Sequence, residues 1–217
     1  MKKVCLDFGH GGTDSGAIGI NNVKEKDYTL ALGERIVELL RNYGVKIITT
    51  RNKDNYVSLN DRVEIANNNN VDLFISIHCN AHSNDSANGF ETYSYKGNTD
   101  LQKVTHNNIM LTIPQLKNRG MKKASYYVLK YTKANALLIE CGFITNKSDY
   151  NILINNIENF ALSITKSIVT YIGLKPIENR ELYRVVVGSY IDRNNAQNMV
   201  NQLEKDGYKP FITKATI

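Results

Sequence analysis

The chain alternates short apolar segments with longer segments in which apolar residues recur every three or four positions. Continuous apolar or β-branched segments predict strands at 2–8, 45–50, 71–78 and 136–140. Helical spacing predicts helices at 27–43, 59–69, 99–111 and 157–172, the last ended by Gly173. Two weaker strand signals follow, at 126–129 and at 89–95, where alternating polar residues indicate an exposed or edge strand. Strands that alternate with helices predict an α/β fold, with a mostly parallel twisted sheet covered by helices on both faces.

The C-terminal fifth of the chain has a separate pattern. Residues 174–182 contain Pro176 and several charges, and we interpret them as a linker. After the linker, a strand is predicted at 183–187, a helix at 194–205 and a strand at 209–213. This β-α-β unit is smaller than the ~40 residues below which an isolated domain usually needs further stabilisation. The expected domains are therefore 1–173 and 183–217.

Composition narrows the classes of partner. The net charge of +6 suits an acidic polymer, such as nucleic acid, an anionic membrane surface or an anionic cell wall. No aromatic stacking platform or basic recognition helix stands out, so we expect no nucleic acid partner. No segment approaches the ~18 apolar residues of a membrane helix, so we expect no stable membrane association. The first apolar stretch breaks at Asp7 and Gly9, too early for a signal peptide, which predicts synthesis in the cytoplasm.

Polar side chains follow three of the predicted strands. His10 follows the first strand, His78 ends the strand at 71–78, and Glu140 ends the strand at 136–140. Because the carboxyl ends of parallel strands meet at one edge of a sheet, the two imidazoles and the carboxylate should converge there. Two histidines and a carboxylate form a zinc site when a fourth position stays open to water. Glu25, at the start of the first long helix, competes with Glu140 for the third ligand position. The alternative explanation for Glu25 is that the helix dipole favours a carboxylate in the first turn of a helix.

The same residues also fit other structural roles. Taken alone, His10 could be a turn residue in a glycine-rich loop, and His78 could be a hydrogen-bonded histidine of the core. Because both residues follow apolar strands, we favour a role as metal ligands for both. His82 and His106 lack that context, so we predict surface positions for them. The loop at 9–19 lacks both the P-loop ending and the G-x-G-x-x-G spacing, which argues against a phosphate cradle.

The cysteines give little support for cysteine chemistry. Cys5, Cys79 and Cys141 are an odd number without tight spacing, which argues against a disulfide scaffold or a cysteine-rich zinc site. Cys79 and Cys141 each follow a candidate site residue on a strand, so alternation should turn both thiols away from the site. A Cys–His nucleophilic pair is therefore not expected.

Several segments resemble motifs of the zinc-dependent N-acetylmuramoyl-L-alanine amidases of the amidase-3 type. In chain order they are LDFGHGGTDSGAIG at 6–19, KEKD at 24–27, TR at 50–51, LNDR at 59–62, AN at 66–67, LFISIHCNA at 73–81, LKNRG at 116–120 and LIECGFITN at 138–146. The resemblance covers about residues 2–173 in family order. Phe8 stands where this family usually has proline, and we expect it to be tolerated.

The resemblance implies roles for named residues. His10, Glu25 and His78 would bind one Zn²⁺ per chain, and Glu140 would be the catalytic carboxylate, which decides between the two glutamates. The implied reaction hydrolyses the amide between N-acetylmuramic acid and L-alanine in peptidoglycan, with Glu140 as general base for a zinc-activated water. Asn80 and Arg119 are expected substrate contacts, with a turn cap and a surface cation as their alternatives.

The tail resembles part of a SPOR peptidoglycan-binding repeat, from YRVVVGSY at 183–190 to Gly207 and Tyr208. The resemblance covers one β-α-β half, so we hypothesise that two chains pair their halves in a homodimer, which would cover an exposed strand edge. A degenerate remnant is the alternative. The expected setting is a prophage endolysin released through a holin or a sporulation autolysin freed by mother-cell lysis, in either case acting on the wall. The rival functions are a zinc peptidase on the stem peptide and a non-catalytic wall-binding protein.

Overall fold

The computed structural model describes residues 1–177 and 186–212. The chain divides into two compact units, Met1–Ile177 and Glu178–Ile217. Among the described residues, no helix is both long enough and apolar enough to span a bilayer.

The first unit is built on one six-stranded sheet. Its strands are β1 (Lys2–Phe8), β2 (Val45–Thr49), β3 (Leu73–Asn80), β4 (Phe90–Ser94), β5 (Asn118–Lys123) and β6 (Asn135–Phe143). Their order across the sheet is β2-β1-β3-β6-β4-β5. Neighbours run parallel except for β4 and β6, which are antiparallel. The predicted mostly parallel sheet is confirmed.

Helices cover both faces of this sheet. They are α1 (Glu25–Leu40), α2 (Leu59–Asn68), α3 (Asp100–Thr112), α4 (Tyr127–Tyr131), α5 (Lys147–Asn155) and α6 (Ile157–Ile172). Helix α6 packs between α1 and α3 on one face, over the larger part of the apolar core. Helices α2 and α4 pack together on the other face, over a smaller apolar cluster. The three central strands are buried from both sides, which is why their sequences are nearly continuously apolar.

The two weaker strand predictions, at 89–95 and at 126–129, differ from the structure. The segment at 89–95 was expected at an edge, but β4 lies between β6 and β5 and is largely buried. The edge belongs to β5, whose sequence NRGMKK is too polar and basic to signal a strand and is typical of a protected edge. The segment at 126–129 was expected to be a strand but enters helix α4, because burying Val128 and Leu129 against the smaller cluster outweighs its β-favouring composition.

Helix α5 was not predicted, although its first residues carry a recognisable capping signal. The Asn146 side chain accepts hydrogen bonds from the backbone N–H groups of Ser148 and Asp149. The same kind of cap, from Ser58 and Thr99, begins α2 and α3. Gly173 ends α6 as predicted, in the left-handed region at φ 65°.

The second unit contains α7 (Arg193–Lys205), which confirms the predicted helix at 194–205. Of the two predicted flanking strands, residues 186–187 and 209–212 lie outside any strand, and residues 183–185 and 213 lie outside the described part of the chain. The linker prediction at 174–182 falls on residues 174–177, where Ile177 N–H donates to the Asn42 carbonyl, and on 178–182, which lie outside the described residues.

Candidate active site

The carboxyl ends of three adjacent parallel strands form the site. Strand β3 lies between β1 and β6, and the register pairs His78 directly with Glu140. His10 lies just beyond the end of β1. The structure therefore brings His10, His78 and Glu140 to one edge of the sheet, as the pattern of strand ends predicted.

Glu25 completes a cluster with the two histidines. It lies in the first turn of α1 with 3% of its surface exposed. Its Oε1 atom is 3.1 Å from His10 Nε2 and 3.0 Å from His78 Nδ1, and the three ligand atoms all lie within 4.8 Å of one another. The Glu25 carboxylate also accepts backbone N–H groups from Ala17 and Cys79, which hold it in place. These three residues could hold a metal ion, and their two nitrogens and one oxygen are a donor set that zinc prefers.

The charges in this cluster support one another. Burial alone would raise the pKa of Glu25, but hydrogen bonds and charge from His10 and His78 outweigh it and hold that pKa well below its usual value. Burial alone would lower the pKa of His78, but Glu25 outweighs it and raises that pKa to about 9. In the protein without metal, the carboxylate and each imidazole thus stabilise each other's charged forms, while the two imidazoles oppose each other.

Glycines allow the close approach of these side chains. A Cβ atom at Gly9 would lie 2.4 Å from the His78 ring, and one at Gly16 would lie 2.6 Å from the His10 ring. His10 itself has a positive φ of 62°, in the left-handed region that histidine enters more readily than most residues. The glycine-rich loop therefore serves histidine packing.

Asp14 is a functional neighbour that sequence reasoning missed. Its Oδ2 atom lies 2.9 Å from His10 Nδ1, and its Oδ1 atom accepts the Gly16 N–H. A carboxylate on the outer nitrogen of a ligand histidine orients the ring and raises its basicity. The signal was present, because Asp14 lies within the motif at 6–19.

Two buried arginines hold the backbone that carries His10. Arg62 donates to the carbonyl oxygens of Phe8 and His10, and Arg51 donates to those of Phe8 and Gly9. Charge-assisted hydrogen bonds of this kind are stronger than neutral ones. The pair therefore fixes the loop at the end of β1.

Asp7 anchors this arrangement from within β1. Its Oδ1 atom accepts from Arg62 and from the Thr50 hydroxyl, and its Oδ2 atom accepts from the Ser76 hydroxyl, each at 2.7 Å. Burial alone would raise the pKa of Asp7, but Arg62 and Ser76 outweigh it and hold that pKa below its usual value. The carboxylate is therefore charged and hydrogen-bonded through both oxygens in the interior.

Phe8, the residue that departs from the family motif, is accommodated in the core. It is 1% exposed, and its ring lies against Gly33 of α1, where a Cβ atom would come within 2.2 Å of it. The glycine leaves the space that the larger side chain needs.

Glu140 carries an unpaired oxygen. Its Oε2 atom is buried and has no hydrogen-bond partner among the described residues. Burial raises the pKa of Glu140 to about 7, with repulsion from Glu25 and Glu91 adding to the shift and His78 opposing it. A carboxyl group with a pKa near neutrality is suited to proton transfer.

A cavity of about 340 Å³ opens beside these groups. Its lining includes His10, His78 and Glu140. Three tyrosines with exposed ring surface form another part of the lining, namely Tyr56, Tyr126 and Tyr127. A bound substrate would therefore meet both the candidate metal site and flat aromatic surfaces.

The two expected substrate contacts both lie against Glu91. Asn80 Nδ2 donates to Glu91 Oε1 at 2.6 Å, and Arg119 Nε donates to Glu91 Oε2 at 2.8 Å. Glu91 is the register partner of Glu140 on the neighbouring strand. Sequence reasoning missed Glu91, because the alternating FETYS segment indicated an exposed strand, whereas β4 is largely buried.

The structure also tests the predictions for the other two histidines and for the cysteines. His82 is exposed, as predicted. The surface prediction for His106 is wrong, because its ring is 2% exposed and is hydrogen-bonded to Thr92 and Asn118. All three cysteines are buried, and Cys79 and Cys141 lie in the core on the α1 side, away from the site, as predicted.

Comparison with known proteins gives consistent matches. The profile of the N-acetylmuramoyl-L-alanine amidase family matches residues 4–172, and that of the SPOR domain matches residues 138–214, a range that starts within β6. The sporulation-specific N-acetylmuramoyl-L-alanine amidase of Bacillus subtilis is 34% identical, over 98% of this chain and 84% of its own length. The endolysin of Bacillus phage SPP1 is 40% identical, over 70% of this chain and 58% of its own length.

The fold is also found among solved structures. The structure of N-acetylmuramoyl-L-alanine amidase AmiC2 of Nostoc punctiforme has a TM-score of 0.77 and 38% identity, and it covers 79% of this chain and 97% of its own. The sheet, the cluster of polar residues at the strand ends, the family and sequence matches and the structural match therefore all indicate the same family. The chain belongs to the amidase-3 family of N-acetylmuramoyl-L-alanine amidases, which hydrolyse peptidoglycan, and it carries a C-terminal SPOR-related segment.

Proposed function

We propose that this amidase cleaves the bond between N-acetylmuramic acid and L-alanine with one zinc ion held by His10, Glu25 and His78, and with Glu140 as the proton carrier. The observation that carries the proposal is the joint geometry of this set. Three preferred zinc donors lie within 4.8 Å of one another. Two of them, His10 and His78, line a cavity together with Glu140, a carboxylate that has an unpaired oxygen.

The proposed mechanism assigns each step to a group of this chain. When bound, zinc would polarise the amide carbonyl and acidify a water molecule. Glu140 then accepts the proton of the attacking water and returns it to the leaving amine of L-alanine. Asp14 orients His10, while Arg51 and Arg62 hold the loop in position. The tyrosine-lined part of the cavity offers flat faces to a sugar ring.

The two expected substrate contacts are proposed to act differently. Arg119 retains unused N–H donors and is 31% exposed along its side chain, so it contacts the substrate directly. The amide nitrogen of Asn80 is engaged by Glu91, and its oxygen accepts the Ala81 N–H. Asn80 therefore positions Glu91.

Digestion of purified cell wall tests the activity. New N-terminal alanine without new reducing sugar ends is expected, with loss on chelation and recovery when zinc is restored. Glu140→Gln should lower the rate at least about 10²-fold, the usual contribution of a general acid–base group. It should still bind one zinc, whereas His78→Ala should lose it. Glu64→Gln, which changes an exposed glutamate on α2, serves as the control.

Other outcomes would contradict the proposal. Peptide–peptide cleavage would indicate a stem-peptide peptidase. Full activity of Glu140→Gln would exclude its role in proton transfer. Zinc-independent wall binding without any new ends would indicate a binding protein.

For the C-terminal unit we propose wall binding through a homodimer in which two copies of the unit pair. Exposed apolar side chains support this proposal, including Val187, Ile191, Tyr208 and Phe211. Helix α7 has no buried residue in the structure of the single chain. Light scattering of the full chain at micromolar concentration should give twice 24.5 kDa, and Phe211→Asp should give one chain mass. A monomeric wild-type protein would overturn the pairing.

For the biological setting we propose a sporulation autolysin in preference to a prophage endolysin. The alignment with the sporulation-specific relative runs through the C-terminal unit, whereas the alignment with the phage endolysin covers only 70% of the chain. Accumulation of the protein during sporulation is the expected result. Accumulation only on phage induction would contradict it.

A further inference from the structure

A buried carboxylate beside the catalytic strand collects four donors. Glu91 is 2% exposed. Its Oε1 atom accepts from Asn80 Nδ2 and from the Tyr93 hydroxyl, and its Oε2 atom accepts from Arg119 Nε and Lys122 Nζ. Every lone-pair direction of the carboxylate is therefore in use, and Glu91 itself has no capacity left for a ligand.

The two cations bound to Glu91 keep donors for another partner. Arg119 uses two of its five N–H donors, on Glu91 and on the Asn88 carbonyl, and Lys122 uses one of three. Their side chains are 31% and 37% exposed. The guanidinium lies 4.8 Å from the centre of the Phe143 ring, and the ammonium lies 5.7 Å from that of Tyr93. Both cations are thus held in place while facing solvent.

The position of this cluster relates it to the reaction. Glu91 and Glu140 are directly paired on the antiparallel strands β4 and β6. Side chains of such a pair share one face of the sheet, with Cβ atoms about 5 Å apart. Arg119 and Lys122 lie on β5, one strand beyond Glu91 and two strands beyond Glu140, so their cluster is continuous with the catalytic strand through Glu91.

The charge balance selects the ligand. Two cations against one carboxylate leave a net positive charge, and the free N–H donors suit an acceptor with two oxygens. A sugar ring with its hydroxyl and acetamido groups is neutral, whereas the peptide of the substrate ends in a carboxylate. We propose that Arg119 and Lys122 form a subsite for a carboxylate of the substrate's peptide, with Glu91 as the residue that positions them. This inference rests on the proposed amidase function.

Two soluble substrates test the subsite. One is a muramyl peptide with a free terminal carboxylate, and the other is the same peptide as its carboxamide. The zinc-loaded wild-type enzyme should prefer the acid through a lower KM. Lys122→Met should raise KM for the acid about tenfold, with little change in kcat and little change for the amide, because one charge-assisted contact is lost.

Matched variants separate the subsite from general effects. Lys122→Arg should retain the preference for the acid, since it keeps both charge and donors. Lys123→Met, at the next and exposed position of β5, should leave both substrates unchanged. Glu91→Gln should weaken the preference, because the two cations lose the anion that holds them.

The outcomes distinguish the two proposals. If wall digestion yields no new alanine termini, the proposed function fails. If it yields them while the acid and the amide have equal kcat/KM, only the subsite is overturned. Equal loss of kcat on both substrates in Lys122→Met would also overturn it, as would digestion of the wall without hydrolysis of either peptide.

Discussion

Two buried carboxylates, Asp7 and Glu91, use the same chemistry in opposite ways. Both are at most 2% exposed, both belong to the sheet, and each is bound by a cation. The side chain of Arg62 beside Asp7 is 4% exposed and donates three further hydrogen bonds to backbone carbonyls. The cations beside Glu91, Arg119 and Lys122, are about one-third exposed.

The difference shows what decides the role of a buried ion pair. When the cation is also buried and uses most of its donors internally, as Arg62 uses four of five, the pair stabilises a loop, here the one that carries His10. When the cation reaches the surface, the buried partner fixes its position and leaves donors for a ligand. The carboxylate alone would not reveal this, because both are equally buried.

The largest expected effect is on stability at Asp7. Asp7→Ala should lower the free energy of unfolding by about 3–5 kcal/mol, because it leaves the Arg62 charge buried without its counter-ion. Urea denaturation of the metal-free full chain measures this effect through the transition of the first unit. Asp85→Ala, at an exposed position, should stay within about 0.5 kcal/mol. A loss at Asp7 as small as that at Asp85 would refute the internal role.

A smaller stability effect is expected at Glu91. Glu91→Gln should cost about 1–3 kcal/mol, since the amide keeps some hydrogen bonds and the cations can turn to water. The same denaturation experiment measures it. A loss exceeding that of Asp7→Ala would remove the distinction between the two regions.

The pH dependence of stability sharpens the comparison further. Burial alone would raise the pKa of Glu91, but Lys122 and Arg119 outweigh it and lower that pKa, as Arg62 does for Asp7. A lowered folded-state pKa gives stability that is complete above the unfolded pKa of about 4 and is lost as pH falls through the folded value. Unfolding free energies measured from pH 7 to pH 3 should therefore fall, and Glu91→Gln should fall less steeply. An equally steep fall in this variant would contradict the charged state of Glu91.

The smallest stability effect is expected at Lys122. Lys122→Met should change the free energy of unfolding by less than about 1 kcal/mol, because a partly exposed ion pair contributes little. Its effect on substrate discrimination should be far larger than its effect on stability. A stability loss of several kcal/mol would mean that the cation belongs to the fold, as Arg62 does.

Local patterns were sufficient for the central strands and for several long helices. Strands buried on both faces must be apolar throughout, so β1, β3 and β6 were visible without knowledge of their neighbours. Short elements that depend on their neighbours were predicted poorly. The α4 segment at 127–131 has strand-favouring residues, so its composition predicted a strand where there is a helix. The edge strand β5 is polar, so its composition did not predict a strand where there is one.

The site residues were likewise predicted only where a local pattern marked them. Polar residues after apolar strands identified His10, His78 and Glu140 as candidates, but spacing alone left Glu25 and Glu140 in competition. The structure places Glu25 between the two imidazoles and leaves an oxygen of Glu140 unpaired. The surface position predicted for His106 was wrong because its ring is hydrogen-bonded to Thr92 and Asn118. Both partners are more than ten residues away in sequence, so the residues around His106 give no sign of these bonds.

The α/β class, the strand ends that carry polar groups, and the family could all be established from the amino-acid sequence, because periodicity and motifs are local properties of the chain. The strand order, the edge position of β5, and the contrast between Asp7 and Glu91 became visible only in three dimensions. These features depend on which strands pair and on how deeply each partner is buried. Both are set by contacts between residues far apart in sequence, so a reading of the chain one segment at a time leaves them open.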